Sequence, residues 1–220
     1  MKFIAPLITA GLLGLASFAT QAETIEVAGI QYSDMAEVGS NKLQLNGSGI
    51  RYKTVFQVYT AGLYLTRKAH TTEDALAAPG AKRIAVSMLR PIDATELGKL
   101  FIRGVEDNTS KEEMFRLMPG LMRMGQIFSE QKMLDKGDAF VIDWVPGTGT
   151  IITVKGKQQG QAFKEPEFFS ALMRIWLGNN PADWKLKDAL LARSGETSPL
   201  PSNASYGLAQ ASPPSGARKP

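Results

Sequence analysis

Residues 45–65 read LNGSGIRYKTVFQVYTAGLYL and carry the strongest fold signal of the chain. Residues 46–49 predict a tight connection, because Asn and Gly favour turns. Residues 51–66 form a long run of β-forming residues, interrupted by Gly62, which predicts two strands with a bend at that glycine. Arg51 lies between the turn and the run, so it is the first candidate for binding an anion at the edge of a sheet.

Both ends of the chain are predicted to lie outside the folded body. Residues 1–22 have the composition of a secretory signal: Lys2, an apolar run over 3–18, and Thr20-Gln21-Ala22 before the cleavage point. The apolar run is shorter than the roughly 20 residues of a membrane span, which disfavours an anchor. Residues 194–220 are rich in Pro, Ser and Gly and predict a disordered tail. One domain over 23–193, periplasmic or secreted, is therefore expected.

Composition excludes several kinds of site. The 220-residue chain has no Cys and one His, His70, so disulfides are impossible and zinc and iron–sulfur centres are disfavoured. The net charge of +4 is scattered along the sequence, which argues against nucleic-acid binding. Gly47-Ser48-Gly49 precedes a predicted strand rather than a helix, so it is no dinucleotide fingerprint. No cofactor and no metal are expected.

Strands and helices are predicted in blocks, which indicates an α+β class with a mainly antiparallel sheet. Ser110 and Glu113 form a capping box at the start of a long helix, and Pro119 is expected to kink it. Pro166 is expected to begin a later helix. The remaining predicted strands cover 24–30, 42–45, 82–90, 138–145, 150–155 and 161–164, and the helices 72–78, about fifteen residues from 93, 110–134, 166–177 and 181–192.

A methionine cluster in the long helix is the second candidate for function. Met114, Met118 and Met122 follow i, i+4 spacing, with Phe115 beside them. Methionine is flexible and polarizable, so such a face suits either an irregular apolar ligand or plain core packing. Arg51 has two interpretations as well: a surface ion pair, or a guanidinium that binds a carboxylate or enolate.

These segments resemble the chalcone isomerase superfamily, especially its bacterial exported branch. The matching stretches are 46–51, 55–65, Lys99–Gly104 (KLFIRG), Ala171–Gly178 (ALMRIWLG) and Leu186–Leu190 (LKDAL). The resemblance implies an open-faced β-sandwich, in which a large antiparallel sheet is covered by a helical layer with a ligand cleft between them. It also implies two precedents: plant members that cyclise chalcones without a cofactor, and a plastid branch that binds fatty acids through an arginine and a tyrosine.

The resemblance assigns roles to individual residues. Arg51 corresponds to the family arginine, and Tyr59 stands where the fatty-acid-binding branch has its tyrosine. The catalytic tyrosine of the helical layer corresponds to Met114, its asparagine to a position near Leu121, and a late polar residue to a position near Ile175. Most groups that would orient a chalcone are therefore apolar in this chain.

Three hypotheses follow. The chain is a non-catalytic binder of a small apolar acid such as a fatty acid, with Arg51 and Tyr59 at the head and Met114, Phe115, Met118 and Trp176 along the tail. Alternatively, it is a cofactor-independent isomerase in which Arg51 is catalytic and stabilises an enolate. The third hypothesis is a protein-interaction module of the cell envelope.

Overall fold

The computed structural model describes residues 23–193. The predicted signal at 1–22 and the predicted tail at 194–220 lie outside this range. Within the described range, no helix combines the length and the apolar character needed to cross a membrane.

Eleven strands and five helices make up the described chain. The strands are β1 Thr24–Val27, β2 Ile30–Ser33, β3 Met35–Val38, β4 Asn41–Lys53, β5 Phe56–Leu65, β6 Lys82–Met88, β7 Ile92–Asp93, β8 Met133–Leu134, β9 Ala139–Val145, β10 Gly149–Val154 and β11 Lys157–Gln158. The helices are α1 Thr72–Ala77, α2 Ala94–Glu106, α3 Lys111–Ser129, α4 Pro166–Leu177 and α5 Trp184–Leu190.

A seven-stranded antiparallel sheet organises the domain, in the order β11-β10-β9-β6-β5-β4-β3. The main core lies between one face of this sheet and helices α2 to α5. A smaller core on the other face lies beneath the β1–β2 hairpin, where Tyr32 packs with Leu43, Leu45 and Tyr64. The predicted α+β class, with a large antiparallel sheet covered by helices, is confirmed.

The predicted turn at residues 46–49 is wrong, because β4 continues through it to Lys53. The glycines serve close packing instead. A Cβ at Gly47 would lie 2.1 Å from the Ala189 carbonyl oxygen, and a Cβ at Gly49 would lie 2.6 Å from the Ala189 Cβ. Helix α5 therefore lies directly on the backbone of β4, which only glycine permits at this distance.

The predicted bend at Gly62 is also wrong, since β5 runs unbroken from Phe56 to Leu65. The ring of Tyr32 covers this glycine, and a Cβ there would lie 2.6 Å from the ring. The chain reverses direction earlier, at Thr54 and Val55.

A β-bulge at Asn46 sets the orientation of the second half of β4. Leu45 pairs with Tyr64 and Gly47 pairs with Leu63, so Asn46 is the extra residue. One additional residue moves the following side chains to the opposite face. Leu45 consequently faces the β1–β2 hairpin, whereas Gly47 faces α5 on the helical side.

Helices α1, α2 and α4 match the predicted ranges closely, whereas other segments differ. The predicted strand at 24–30 ends at Val27 and turns back into β2, and the last helix begins at Trp184 rather than at 181. Ser110 caps α3 and accepts from the Glu113 amide at 3.1 Å, and α4 begins at Pro166. Helix α3 continues through Pro119 but ends at Ser129, because Met133 and Leu134 pair with β7 instead. The predicted strand at 161–164 is reduced to a single bridge between Phe163 and Thr150.

Asn46 is buried at the bulge and all its polar atoms bond. Its amide nitrogen donates to the carbonyls of Ala69 and Leu190 at 2.8 and 2.7 Å, and its oxygen accepts from the Ala69 amide at 2.7 Å. One side chain thus ties β4 to the segment after β5 and to the end of α5.

Replacing Asn46 by Ala is expected to lower the free energy of unfolding by about 2–4 kcal/mol. The truncation leaves a buried amide and two carbonyls without partners. Chemical denaturation measures the change. The matched control is Gln44→Ala in the same strand, whose half-buried side chain makes one bond of 3.4 Å to Thr66 and is expected to cost about 1 kcal/mol or less. Equal losses in the two variants would contradict the role of Asn46.

Candidate functional site

Arg51 and Tyr59 form a cross-strand pair of β4 and β5 on the helical side of the sheet. The guanidinium carbon of Arg51 lies 5.4 Å from the centroid of the Tyr59 ring, within the range of a cation–π contact. Arg51 is half-buried, and its Nε–H has no hydrogen-bond partner among residues 23–193. A buried donor without a partner is costly unless a ligand or water accepts from it.

Tyr59 connects the sheet to helix α4. Its hydroxyl oxygen accepts a hydrogen bond of 2.9 Å from the indole nitrogen of Trp176, and both side chains are buried. Trp176 also packs edge-on against Phe101 of α2, with ring centroids 6.0 Å apart. In the described part of the chain nothing accepts the Tyr59 hydroxyl proton. The phenol is therefore fixed in position and retains one donor.

Burial raises the pKa of Tyr59, while the positive charge of Arg51 and the Trp176 hydrogen bond act in the opposite direction. The phenol is consequently neutral at physiological pH. A neutral phenol beside a guanidinium can donate to an anion, whereas a phenolate would repel it.

A cavity of about 250 Å³ opens beside this pair, between the sheet, α2 and the segment that joins α4 to α5. Arg51 and Tyr59 form its sheet side. The other lining residues are Leu97, Leu100, Phe101, Arg103, Gly104, Asp107, Ile175, Asn180, Pro181 and Ala182. The walls combine apolar residues with five polar or charged ones, and the volume is below the common range of about 300–1,000 Å³ for small-molecule sites.

The structure brings together some of the predicted site residues. Arg51 and Tyr59 line the cavity, and Trp176 supports Tyr59 from behind. Met114, Phe115 and Met118 do not line it: Met114 packs partly against the core, while Phe115 and Met118 are 82% and 37% exposed.

The rotation of α3 explains this separation. Its buried face consists of Leu117, Leu121, Met124, Ile127 and Phe128, so the face of Phe115 and Met118 points to solvent. Helix α2 forms the cavity wall in its place, through residues such as Leu97, Leu100 and Arg103 that the sequence did not mark as a site. The exposure of Leu100, 36%, distinguishes it from the core positions of the same apolar face, but exposure is visible only in the structure.

Other places in the described residues are less suited to an anion. A larger groove of about 630 Å³ lies between α3 and α4, but Glu113, Glu165 and Glu167 line it with a single cation, Arg116. His70 is exposed and contacts the Leu191 carbonyl at 3.1 Å. Residues 23–193 contain no cluster of three or more His, Asp or Glu side chains arranged for a metal ion.

Comparison with known proteins identifies a family and structures of similar fold. The sequence model of a family described as Chalcone isomerase-like matches residues 23–192. The crystal structure of a fatty-acid-binding protein from Arabidopsis thaliana superimposes with a TM-score of 0.62 and 16% identity, over 78% of this chain and 97% of that chain. Identity this low indicates a common fold only. No curated protein sequence matches the chain.

Replacing Tyr59 by Phe is expected to lower the free energy of unfolding at neutral pH by about 1–3 kcal/mol, because the buried Trp176 indole N–H loses its acceptor. The substitution should also reduce the alkaline loss of stability. A tyrosine whose pKa is raised by folding stabilises the folded state fully below its unfolded pKa of about 10, and that contribution disappears as pH rises through the folded pKa.

Chemical denaturation at neutral pH and above pH 10 measures both effects. Burial also raises the pKa of Tyr32 to about 12, so Tyr32 contributes to the loss of stability at alkaline pH as well. Only the difference between Tyr59→Phe and the wild type therefore reports on Tyr59. Tyr52→Phe, at a side chain 37% exposed, is the control and should follow the wild type. A Tyr59→Phe variant with an unchanged alkaline slope would contradict the assignment.

Proposed function

Because the chain belongs to the chalcone isomerase-like family, we propose that it binds a small apolar carboxylic acid in the Arg51 cavity without transforming it. One observation carries the proposal: a guanidinium with an unpartnered Nε–H lies over the Tyr59 ring, and both side chains line a cavity that also has apolar walls.

The polar end of the cavity suits a carboxylate. Arginine presents parallel N–H donors that match the two oxygens of a carboxylate, and the Nε–H of Arg51 has no partner among the described residues. The neutral Tyr59 hydroxyl accepts from Trp176 and keeps its own proton as a second donor on the same side of the sheet. Arg103 adds positive charge to the wall and Asp107 offsets it, so Arg51 leaves the lining net positive.

The apolar part of the cavity suits a hydrocarbon chain. Leu97, Leu100, Phe101 and Ile175 contribute the walls opposite the sheet. A volume of about 250 Å³ accommodates a short acid, or the head and first carbons of a longer one whose tail emerges past the partly exposed Leu100. The superimposed plant structure is that of a fatty-acid-binding protein, which supports this class of ligand.

Non-catalytic binding is favoured over isomerisation by the surroundings of Arg51. The positions that the resemblance aligns with the helical tyrosine and asparagine hold Met114 and Leu121, and Leu121 is fully buried in the core. Ile175 in the cavity wall is apolar as well. The cavity therefore has an anion-binding head, but apolar side chains occupy the positions that the resemblance assigns to orienting a chalcone.

We further propose that the protein is an exported, bacterial-type member of the family, periplasmic or secreted after cleavage near Ala22. The support is the order of a cationic residue, an apolar run and small residues in the first 22 positions. Mass spectrometry of the mature N-terminus checks it: a chain that begins at Glu23 agrees, and one that retains residues 1–22 contradicts it.

Replacing Arg51 by Ala is expected to weaken binding of a medium-chain fatty acid about ten- to a hundredfold, the usual value of hydrogen bonds to a charged group. Isothermal titration with the acid and with the alcohol of equal chain length measures this. The alcohol should bind weakly to both proteins and be little affected by the substitution. Arg67→Ala, at an exposed cation outside the cavity, is the matched control. Unchanged affinity for the acid in Arg51→Ala would contradict the proposal.

In a chalcone assay, the wild-type protein is expected to leave the spontaneous cyclisation rate of hydroxychalcones unchanged. The loss of chalcone absorbance is followed with and without protein. A rate enhancement that disappears in Arg51→Ala would instead support the isomerase hypothesis, in which Arg51 stabilises the enolate.

A further inference from the structure

The hairpin tip, defined as residues 52–57, exposes apolar side chains just beyond Arg51. Val55 is 76% exposed and Phe56 60% exposed, and Tyr52 beside them is 37% exposed. The tip is the turn between the two longest strands of the sheet, so these side chains project from the end of a well-ordered ladder.

The residues of the turn are unusual for its geometry. Lys53 pairs with Phe56, which leaves Thr54 and Val55 as a two-residue loop, and Thr54 has a φ of 58°. A positive φ at the first loop position is the pattern of a type II′ turn, where glycine is favoured. Thr54 and Val55 are β-branched, whereas glycine or a polar residue would fit this turn better, and Val55 exposes apolar surface. Such local violations are expected at functional sites.

The charged side chains of the tip itself are positive. Residues 50–58 contain Arg51 and Lys53 and no acid. The exposed Arg90 places its guanidinium carbon 5.3 Å from the centroid of the Phe56 ring. Asp183 contacts the tip through the Tyr52 amide at 2.7 Å, but its carboxylate also caps α5 through the amides of Lys185 and Leu186.

We propose that the hairpin tip docks on an anionic lipid surface, with Val55 and Phe56 inserted at the interface and Lys53 and Arg90 facing lipid phosphates. A convex tip with two inserted side chains is far smaller than the roughly 800 Å² per partner of a stable protein interface. Apolar side chains flanked by cations are, by contrast, the recognised chemistry of interfacial membrane binding. This inference does not depend on the ligand of the cavity, although it would place the cavity next to the bilayer.

Vesicle flotation of the mature chain, residues 23–220, tests the proposal, with phosphatidylcholine vesicles that contain or lack phosphatidylglycerol. We expect association with the anionic vesicles only, weakening as salt rises. The double substitution Val55→Ser and Phe56→Ser should weaken it about tenfold or more, because the inserted apolar surface is lost. Lys53→Ala and Arg90→Ala should each weaken it about fivefold.

The matched control removes apolar surface elsewhere. Phe115 and Met122 on α3 are 82% and 66% exposed, and the double substitution Phe115→Ser and Met122→Ser should leave vesicle association unchanged. Wild-type protein that fails to float with anionic vesicles, or a control that loses binding as fully as the tip variant, would overturn the proposal.

A site-specific probe gives a second measurement. The chain has no cysteine, so Val55→Cys and Met122→Cys each provide a single site for an environment-sensitive dye. We expect a blue shift at position 55 with anionic vesicles and none at position 122. A blue shift at position 55 that grows with protein concentration in the absence of vesicles would indicate docking of a second copy and would overturn the lipid assignment.

Discussion

The extra residue at Asn46 determines which side of the sheet Arg51 occupies. In β4, side chains alternate between the two faces, and Leu45 belongs to the small core under the β1–β2 hairpin. Without the bulge, every later odd-numbered residue would face the same way, and Arg51 would lie on the hairpin side. The hydrogen bonds from Asn46 to Ala69 and Leu190 hold the bulge and also fix α5 above it. Asn46 therefore forms the bulge, holds α5 in place and directs Arg51 to the helical side of the sheet.

The Tyr59–Trp176 hydrogen bond gives the candidate site its rigidity. Tyr59 belongs to β5 and Trp176 to α4, and both are packed into the main core. A ligand that meets Arg51 and Tyr59 would thus find donors already in place, so little conformational entropy would be lost on binding. Because Tyr59 and Trp176 are part of the main core, the site is lost only when the core unfolds. No loop has to close to bring Tyr59 into position.

Features encoded by local sequence could be predicted, and features set by tertiary packing could not. The α+β class followed from the blocks of strands and helices, and the starts of α3 and α4 followed from Ser110 and Pro166. Gly47, Gly49 and Gly62 were interpreted as turn and bend residues, because nothing in the sequence shows that Ala189 and Tyr32 pack against them.

The rotation of α3 was unpredictable for a different reason. Phe115, Met118 and Met122 have helical spacing, and so do Leu117, Leu121 and Met124, so periodicity alone offers two apolar faces. The choice between them is made by the fit against α2, α4 and the sheet. The cavity wall from α2 was missed because its residues also fit the pattern of ordinary core packing.

The two bulges divide the β4–β5 hairpin into parts that differ in how well they tolerate insertions and deletions. Insertion or loss of a single residue between Asn46 and Arg51 would reverse the arginine and disconnect it from Tyr59. Beyond a second irregularity at Val58, the pairs Tyr52–Gln57 and Lys53–Phe56 are the last two of the ladder, and the arms can lengthen or shorten there in matched steps. The tip can therefore diversify in length and composition across a lineage while the arginine–tyrosine pair keeps its register.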